Sequence, residues 1–410
     1  MNRSLTIAGA AIALAGGSMA CAELHAEEWL DRLDDALTVS AWNNQVRTRL
    51  SGLVDLEAYH FEGEPPGLID TSRVNFAAPR LTLLLDSQVG SHVYVFAQAR
   101  LDRGFDPGDF GTRFRLTEYA VRLNPEIDGP LTLQLGKAAT VIGNWVPRHL
   151  SWENPFITAP LPYENVTAIY DREAPLSKDD FLHGPAERKY EYIPAIWGPV
   201  YATGGSVAYR AGDFDLAAEI KNAALSSRPS VWDLTRSGLD QPTFSGRIGY
   251  RPGVSWNLGL SASTGAYMTP ESIPTLPAGP RYGDYRQTLI GQDVGFAWHH
   301  WQLWAEAYEV RFEVPRVGNA DLLVWYAEAK YKFSTCWFAA VRWNQEQFAT
   351  VDDGAGGREQ WGSNLWRTEF ALGFRPSAHT QIKLQYSVQR TYSGPAESSQ
   401  TLAAQFTLRF

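Results

Sequence analysis

Residues 78–102 read APRLTLLLDSQVGSHVYVFAQARLD, two runs of alternating apolar and polar residues joined by a short polar turn. In the first run Leu81, Leu83 and Leu85 alternate with polar residues such as Arg80 and Thr82. Successive side chains of a β-strand point to opposite faces of a sheet. The stretch therefore predicts two antiparallel strands, each with one apolar and one polar face.

The same period of two recurs in sixteen segments, most of them 10 to 14 residues long. An average soluble strand has roughly five or six residues, whereas a tilted strand needs about 9 to 11 or more to cross a bilayer. The segments lie near 48–61, 77–87, 91–102, 112–124, 129–138, 198–211, 213–225, 241–251, 254–267, 284–298, 301–314, 320–333, 336–348, 362–375, 379–392 and 398–410.

The links between these segments alternate between tight turns, such as His299-His300, and longer loops, of which 139–197 is the longest. Outer-membrane barrels have short periplasmic turns and longer outer loops. A soluble β-sandwich shows the same alternation within a strand, but it needs a second layer against its apolar face, and the chain offers few helices. A sheet closed on itself leaves no edge. We therefore predict an all-β fold, a transmembrane 16-stranded antiparallel up-and-down barrel over 48–410.

Composition excludes several other classes of protein. With 44% hydrophobic residues the chain is not disordered, and beyond the first twenty positions no apolar run approaches the roughly 18 residues of a membrane helix. The net charge of −9 matches a phosphate polyanion poorly, so nucleic acid is not an expected partner.

The N-terminus has the features of a secretory signal sequence. Arg3 supplies a positive charge, an apolar core follows, and small residues precede a cleavage point before Glu23, which predicts a signal peptide over 1–22. The alternative, lipidation of Cys21, is disfavoured because Ser18 stands where such sites usually carry Leu. In the following segment, 23–47, the apolar spacing predicts one short amphipathic helix, and we expect this segment to lie in the periplasm.

Taken together, the signal peptide, the sixteen segments, the long loop after the fifth, the stretch Leu133-Gln-Leu-Gly-Lys137 leading to Gly143, and the final strand ending in Phe410 resemble a bacterial outer-membrane porin. The resemblance covers 48–410. It implies an integral outer-membrane barrel in contact with lipid, through which small hydrophilic solutes diffuse passively. It also implies assembly as a homotrimer and recognition of the last strand by the barrel-assembly machinery.

If the apolar face meets lipid, the polar face lines the lumen and its charges set selectivity. Loop 139–197 is rich in aromatic residues, which are costly in water, so we expect it to fold into the barrel as a constriction. Asp55 and Glu57 are further inward acids. The predicted lining residues are Arg80, Arg100, Arg122, Arg342, Arg367, Lys383, Glu118 and Glu369 on the wall, and Glu153, Glu164, Asp171 and Glu173 on the loop.

Two interpretations of these charges stay open. In the first, loop carboxylates face wall arginines across a narrow gap and create a transverse field that orders polar solutes. In the second, the charges pair with one another and hold the loop in place. A more specific hypothesis assigns Trp145, Trp152 and Tyr163 to an aromatic track for sugar rings.

Signatures of catalysis are missing from the sequence. There is no HExxH, CxxC or GxSxG motif, and His299-His300 falls in a predicted two-residue turn. No catalytic residue, metal or cofactor is therefore expected, and the chain is not predicted to be an enzyme.

The resulting hypothesis is a porin that passes small hydrophilic solutes by diffusion. One alternative is a channel selective for sugars or anions, and a second is a structural or adhesion barrel plugged by its long loop. The sequence does not distinguish among them.

Overall fold

The computed structural model describes residues 28–104, 111–184, 189–392 and 396–410; the predicted signal peptide, 1–22, lies outside this part of the chain. Within it, sixteen strands form one antiparallel barrel. They are β1 Val46–Glu62, β2 Asn75–Val89, β3 Val93–Asp102, β4 Arg113–Leu123, β5 Leu131–Ala138, β6 Ala202–Ala211, β7 Phe214–Lys221, β8 Thr243–Tyr250, β9 Trp256–Ala266, β10 Arg286–Trp298, β11 Trp301–Val314, β12 Gly318–Lys332, β13 Trp337–Phe348, β14 Asn364–Phe374, β15 Thr380–Tyr392 and β16 Ala396–Arg409.

Each strand pairs with its neighbours along the chain, and β1 pairs with β16 to close the barrel. The closing register runs from Leu53 opposite Arg409 to Glu62 opposite Gln400. Each of the sixteen predicted segments overlaps one of these strands, so the predicted fold class is confirmed. The largest differences in a boundary are of four residues. β6 begins at Ala202 instead of 198, and β7 ends at Lys221 instead of Leu225 because Ala223 to Leu225 leave the wall and are buried inside the barrel.

The distribution of side chains is the reverse of that in a soluble protein. Leu260 and Phe370 on the outer face are more than half exposed, whereas Asp55, Arg342 and Glu369 on the inner face are 0% exposed. A continuous exposed apolar surface of this kind is what a lipid-facing barrel presents. The alternation seen in the sequence therefore corresponds to a lipid face and a lumen face.

Aromatic residues gather on the outer face beside the short turns. Trp301 packs against Tyr331 with ring centroids 4.6 Å apart, and Trp337 packs against Phe374 at 4.4 Å. Such rings suit the level of the lipid headgroups, where one end of the side chain is apolar and the other is wet.

The remaining elements are not part of the barrel wall. The helices are α1 Glu28–Ala36, α2 Leu161–Glu164, α3 Lys178–His183 and α4 Leu234–Ser237, with 3-10 turns at Val146–Arg148, Lys189–Glu191, Pro229–Val231, Pro270–Thr275 and Tyr282–Asp284. Short strands pair Thr38–Ala41 with the start of β1, Val166–Tyr170 with Tyr192–Pro194, and Thr350–Asp352 with Arg358–Gln360. Among the helices of the described residues, none has the length and apolarity required to traverse a bilayer.

The predicted N-terminal helix is α1, and it is tied to the end of the barrel that carries the short turns. Asp34 accepts two hydrogen bonds from the Arg49 guanidinium, at 3.0 and 2.7 Å, and Asp31 lies 2.9 Å from Nε2 of His379. Leu30 is buried. The segment before β1 is therefore a docked element at this end of the barrel.

The links between strands alternate between short and long as predicted, except at links such as that between β11 and β12. The turn between β10 and β11 has two residues, 299–300, and the loop between β5 and β6 runs over 139–201. We call this loop the third outer loop. A longer link was predicted between β11 and β12, but it consists only of 315–317 because β12 begins at Gly318, two residues before the predicted start.

A charge on the outer face should destabilise the barrel because lipid cannot solvate it. Leu260 lies in the middle of the outer face of β9, and we expect Leu260→Arg to reduce the free energy of unfolding by about 2 to 4 kcal/mol. Val254 is fully exposed in the turn before β9, so Val254→Arg is the matched control and should change little. Reversible urea unfolding in lipid vesicles measures both; equal effects of the two substitutions would contradict the assignment of the lipid face.

Candidate pore and constriction

The first residues of the third outer loop are held by carboxylates on the inner face of the wall. Each carboxylate accepts backbone N–H groups that the loop exposes as it leaves β5. These bonds join Glu118 to Ala139 at 3.0 Å, Glu219 to Val141 at 3.2 Å, and Glu306 to Asn144 and Trp145 at 2.5 and 2.7 Å. Buried backbone donors need acceptors, and here the wall supplies them.

Gly143 permits the close approach of the loop to Glu306. Its φ is +75°, and a Cβ atom there would lie 2.3 Å from the hydroxyl of Tyr308 and 2.4 Å from that of Tyr163. Both the left-handed backbone and the lack of space require glycine. The glycine noted in the sequence is thus where the loop turns against the wall.

The middle of the loop is held by Lys383. Its ammonium group donates to the carbonyl oxygens of Ser151, Asn154 and Phe156 at 2.8, 2.9 and 3.0 Å, and the residue is 0% exposed. These three bonds use the full donor capacity of an ammonium group. Lys383 therefore contacts the loop and presents no charge to an open lumen.

Arg342 and Arg367 continue this line of contacts. Arg342 donates to the Thr158 carbonyl at 3.0 Å and to Glu369 at 2.5 Å. Arg367 donates to the Ala159 carbonyl at 2.7 Å, and its Nη1 lies 2.6 Å from Oε1 of Glu164.

Of the predicted basic residues of the wall, Arg342, Arg367 and Lys383 are thus covered by the loop. They lie in direct contact with it, with no gap in which a field could act on a solute. Burial raises the pKa of Glu164 although the Arg367 guanidinium is so close.

The other predicted loop carboxylates are dispersed. Asp171 is buried and forms a two-bond ion pair with Arg228, both bonds at 2.6 Å. Glu153 and Glu173 are exposed. Arg122 lies near the short-turn end of β4 and donates to Gln134 at 3.0 Å. The structure does not bring these residues together with the rest of the set.

The predicted aromatic track is divided. Trp145 and Tyr163 pack against each other at 4.5 Å, and both border an internal cavity. Trp152 lies elsewhere, between the guanidinium groups of Arg375 and Arg409, whose Cζ atoms are 4.7 and 4.5 Å from its ring. A single surface along all three rings is therefore not formed.

Several residues that hold the loop were not singled out from the sequence. Each lies on the inner face of a strand and binds the loop backbone. They are Glu306 to Asn144 and Trp145, Gln385 to Ile157 and Thr158, Asn344 to Leu161, and Gln287 to Ala195. The parity of the strands identifies the face on which they lie, but nothing local indicates which loop residue each one meets.

The part of the lumen that the loop leaves open lies against β1, β2 and β3. A cavity of about 220 Å³ separates the loop residues 145–164 from this wall. Asp55, Glu57, Arg80 and Arg100 line it on the wall side. We call it the inner cavity. Of the three predicted wall arginines that the loop does not cover, Arg80 and Arg100 line this cavity and Arg122 does not.

A wider space opens above the inner cavity. This outer vestibule has a volume of about 780 Å³. It is bordered by the first outer loop, which joins β1 to β2 over 63–74, and by Lys189 and Tyr190. Ile69, Phe76 and Arg103 border both spaces. The outer vestibule and the inner cavity therefore adjoin each other beside β1 to β3.

Comparison with known proteins supports the architecture. No protein-family model and no curated relative matches the chain. Solved structures do match. OmpT, an outer membrane protein of Vibrio cholerae, is 8% identical over 91% of this chain and 100% of its own, with a TM-score of 0.55. The anion-selective porin of Comamonas acidovorans is 10% identical over 89% of this chain and 100% of its own, with a TM-score of 0.54. The outer membrane channel DcaP of Acinetobacter baumannii matches at 12% over 91% and 100% (0.53), and OmpT also has a trimer form.

The fold is that of the bacterial outer-membrane porins. At identities of 8 to 12% the likeness is one of fold, so the contents of the lumen must be understood from this chain's own side chains. The resemblance predicted from the sequence is confirmed at that level.

His149 borders the inner cavity as a neutral group. Burial lowers its pKa to about 4, and its ring nitrogens lie 2.5 Å from the Val146 carbonyl and 2.6 Å from the hydroxyl of Tyr201. The Nδ1 atom donates to the carbonyl, and Nε2 accepts from the tyrosine. This histidine therefore adds no charge to the inner cavity at neutral pH.

Outside the barrel, His183 of α3 joins the third outer loop to the hairpin that follows β13. Its Nδ1 lies 3.0 Å from Asp179 and its Nε2 lies 3.1 Å from Glu359 of the hairpin. Lys178 pairs with Asp352 at 2.8 Å, and Phe181 stacks on Trp361 with centroids 6.0 Å apart. We call these contacts the outer clasp.

Replacing Lys383 should loosen the loop because three carbonyl oxygens lose their donor. We expect Lys383→Met, which keeps the aliphatic stem, to reduce the free energy of unfolding by about 3 kcal/mol. Hydrogen exchange of residues 151–156 should rise. Lys332→Met, at an exposed position, is the control. Unchanged exchange in 151–156 would show that the ammonium group does not hold the loop.

The outer clasp should weaken with rising pH. Hydrogen bonds to Asp179 and Glu359 raise the pKa of His183, so its contribution is fully present below the unfolded pKa and is lost as the pH rises through the folded pKa. An NMR titration should give His183 a pKa above 6.5. Asp179→Asn and Glu359→Gln should each lower it, and a value that neither substitution changes would contradict the clasp.

Proposed function

We propose that the chain is an outer-membrane channel through which small hydrophilic solutes diffuse. The observation that carries the proposal is the route formed by the outer vestibule and the inner cavity, lined by charged side chains inside a barrel with an apolar exterior. Charged and hydrogen-bonding groups along a narrow route replace part of a solute's hydration shell, which favours polar solutes.

The constriction in this proposal lies between the loop and one side of the wall. Arg80 donates to Asp55 and Glu57 of the adjacent strand at 3.0 and 2.6 Å. The local field therefore comes mainly from neighbouring strands, in contrast to a field between loop carboxylates and facing arginines. Arg100 likewise pairs with Asp102 on its own strand.

A plugged barrel is the competing function, and one observation favours it. The loop packs an apolar core against the inner faces of β11 and β12, where Val310, Phe312 and Val324 are 0 to 2% exposed. This core fills the part of the lumen away from the inner cavity. A barrel that does not conduct ions would establish the plug.

The proposal also includes how the chain is assembled in the membrane. The backbone groups of Phe410 exchange hydrogen bonds with those of Gly52, at 2.8 and 3.1 Å, so the pairing of the last strand with β1 continues to Phe410. We propose that this strand is the element recognised by the barrel-assembly machinery, that the signal peptide 1–22 is removed, and that the mature chain assembles as a homotrimer.

Two adjacent alanines of β2 provide a matched test of the route. Ala78 borders the inner cavity, whereas Ala77 is exposed on the outer face. The purified protein should give discrete conductance steps in planar bilayers, and Ala78→Phe should lower the step at least about twofold because it narrows the route. Ala77→Phe should leave the step unchanged.

Two results would count against the proposal. Equal conductance of the two variants would place the conducting route elsewhere in the barrel. The lack of any conductance step, together with no swelling of proteoliposomes in sugar solution, would favour the plugged barrel.

A further inference from the structure

The charged side chains around the inner cavity are not equally accessible. The four carboxylates that line it are 1, 5, 8 and 12% exposed, in the order Asp55, Glu57, Asp102 and Glu164. The side chain of Arg100 is 7% exposed, whereas that of Arg80 is 24% exposed. Arg103, at the border with the outer vestibule, is half-buried. A solute in the cavity therefore meets the guanidinium group of Arg80 more than any of these carboxylates.

Hydrogen bonds explain this asymmetry. Asp55 also accepts from Thr407 at 2.6 Å, and Glu57 also accepts from Gln405 and Tyr59, both at 2.7 Å. The two carboxylates are thus enclosed by protein donors. Arg80 uses Nε and Nη2 to bind them, and neither bond involves Nη1.

Apolar side chains lie next to these guanidinium groups. Leu68, Ile69, Phe76 and Ile157 all border the inner cavity. Phe76 packs near Tyr59 at 6.1 Å, and the Cζ atom of Arg103 lies 4.9 Å from the Phe76 ring. The cavity thus has a cationic side and an apolar side within one solute's length.

We propose that the inner cavity binds organic anions that carry an aromatic or other apolar group, such as aromatic monocarboxylates. This inference rests on the proposed channel function and names its preferred solutes. The carboxylate of the solute accepts hydrogen bonds from the Arg80 guanidinium, since a planar guanidinium suits a carboxylate. The ring of the solute packs against Phe76 and the aliphatic side chains beside it.

Size also favours this class of solute. Sites for drug-sized molecules occupy about 300 to 1,000 Å³, and the inner cavity, at about 220 Å³, is smaller. A single ring with one carboxylate suits that space. Acetate lacks the apolar part, and benzylammonium, of similar size, carries a positive charge that the guanidinium groups repel.

The test is the block of KCl current through the purified protein in planar bilayers. The probes are sodium benzoate, sodium acetate, benzylamine hydrochloride and the neutral benzamide. Benzoate should block with a half-blocking concentration at least about tenfold lower than that of each other probe, because only benzoate satisfies both sides of the cavity. Similar block by benzoate and benzylammonium, or by benzoate and acetate, would overturn the inference.

Two variants test the apolar side and the cationic side of the cavity separately. Both keep a positively charged residue at position 80, where it faces Asp55 and Glu57. Phe76→Ala should raise the half-blocking concentration of benzoate about fivefold without changing that of acetate. Arg80→Lys keeps the charge but not the planar fork, and should weaken the benzoate block severalfold. Arg311→Gln removes a charge from the exposed outer wall and is the control.

The outcomes distinguish this inference from the channel function on which it depends. KCl current with no preference for benzoate, or a benzoate block that Phe76→Ala leaves unchanged, would overturn the inference alone. Lack of KCl current in a folded, heat-modifiable barrel would overturn the channel function and the inference with it.

Discussion

The structure depends on one constraint: a long loop inside the barrel has backbone groups that must find hydrogen-bond partners away from bulk water. The wall meets this requirement with charged and amide side chains on its inner face. Glu306 accepts N–H groups at the start of the loop, Lys383 donates to carbonyl groups in its middle, and Asn344 accepts from Leu161. An unpaired buried backbone group costs about 1 to 3 kcal/mol, so these contacts strongly favour one path for the loop.

This constraint also determines where the lumen stays open. The side chains that hold the loop belong mostly to strands β10 to β15 and draw it toward that side of the barrel. Strands β1 to β3 face the remaining space, and there Asp55 and Glu57 bind Arg80 of the adjacent strand instead of the loop. The route and the anchoring of the loop are thus two consequences of the same distribution of polar groups.

The sequence predicted the strands well because alternation is a local property. It also placed Arg342, Arg367 and Lys383 on the lumen face, since parity alone decides the face of a strand residue. The sequence did not predict which loop groups these three residues bind. Lys383 meets carbonyl groups more than 220 residues away along the chain, and no periodicity encodes which of the loop's carbonyls approach it.

Taken alone, the sequence determined the sixteen strands, their two faces, the position of the long loop and the short helix before the barrel, because each follows from side-chain period, length or local turn chemistry. Only the tertiary structure decided that three predicted pore cations hold the loop, that Asp171 pairs with Arg228, and that the inner cavity lies against β1 to β3. The physical reason is that pairing inside a barrel depends on distances across the lumen, which arise only after the sheet closes.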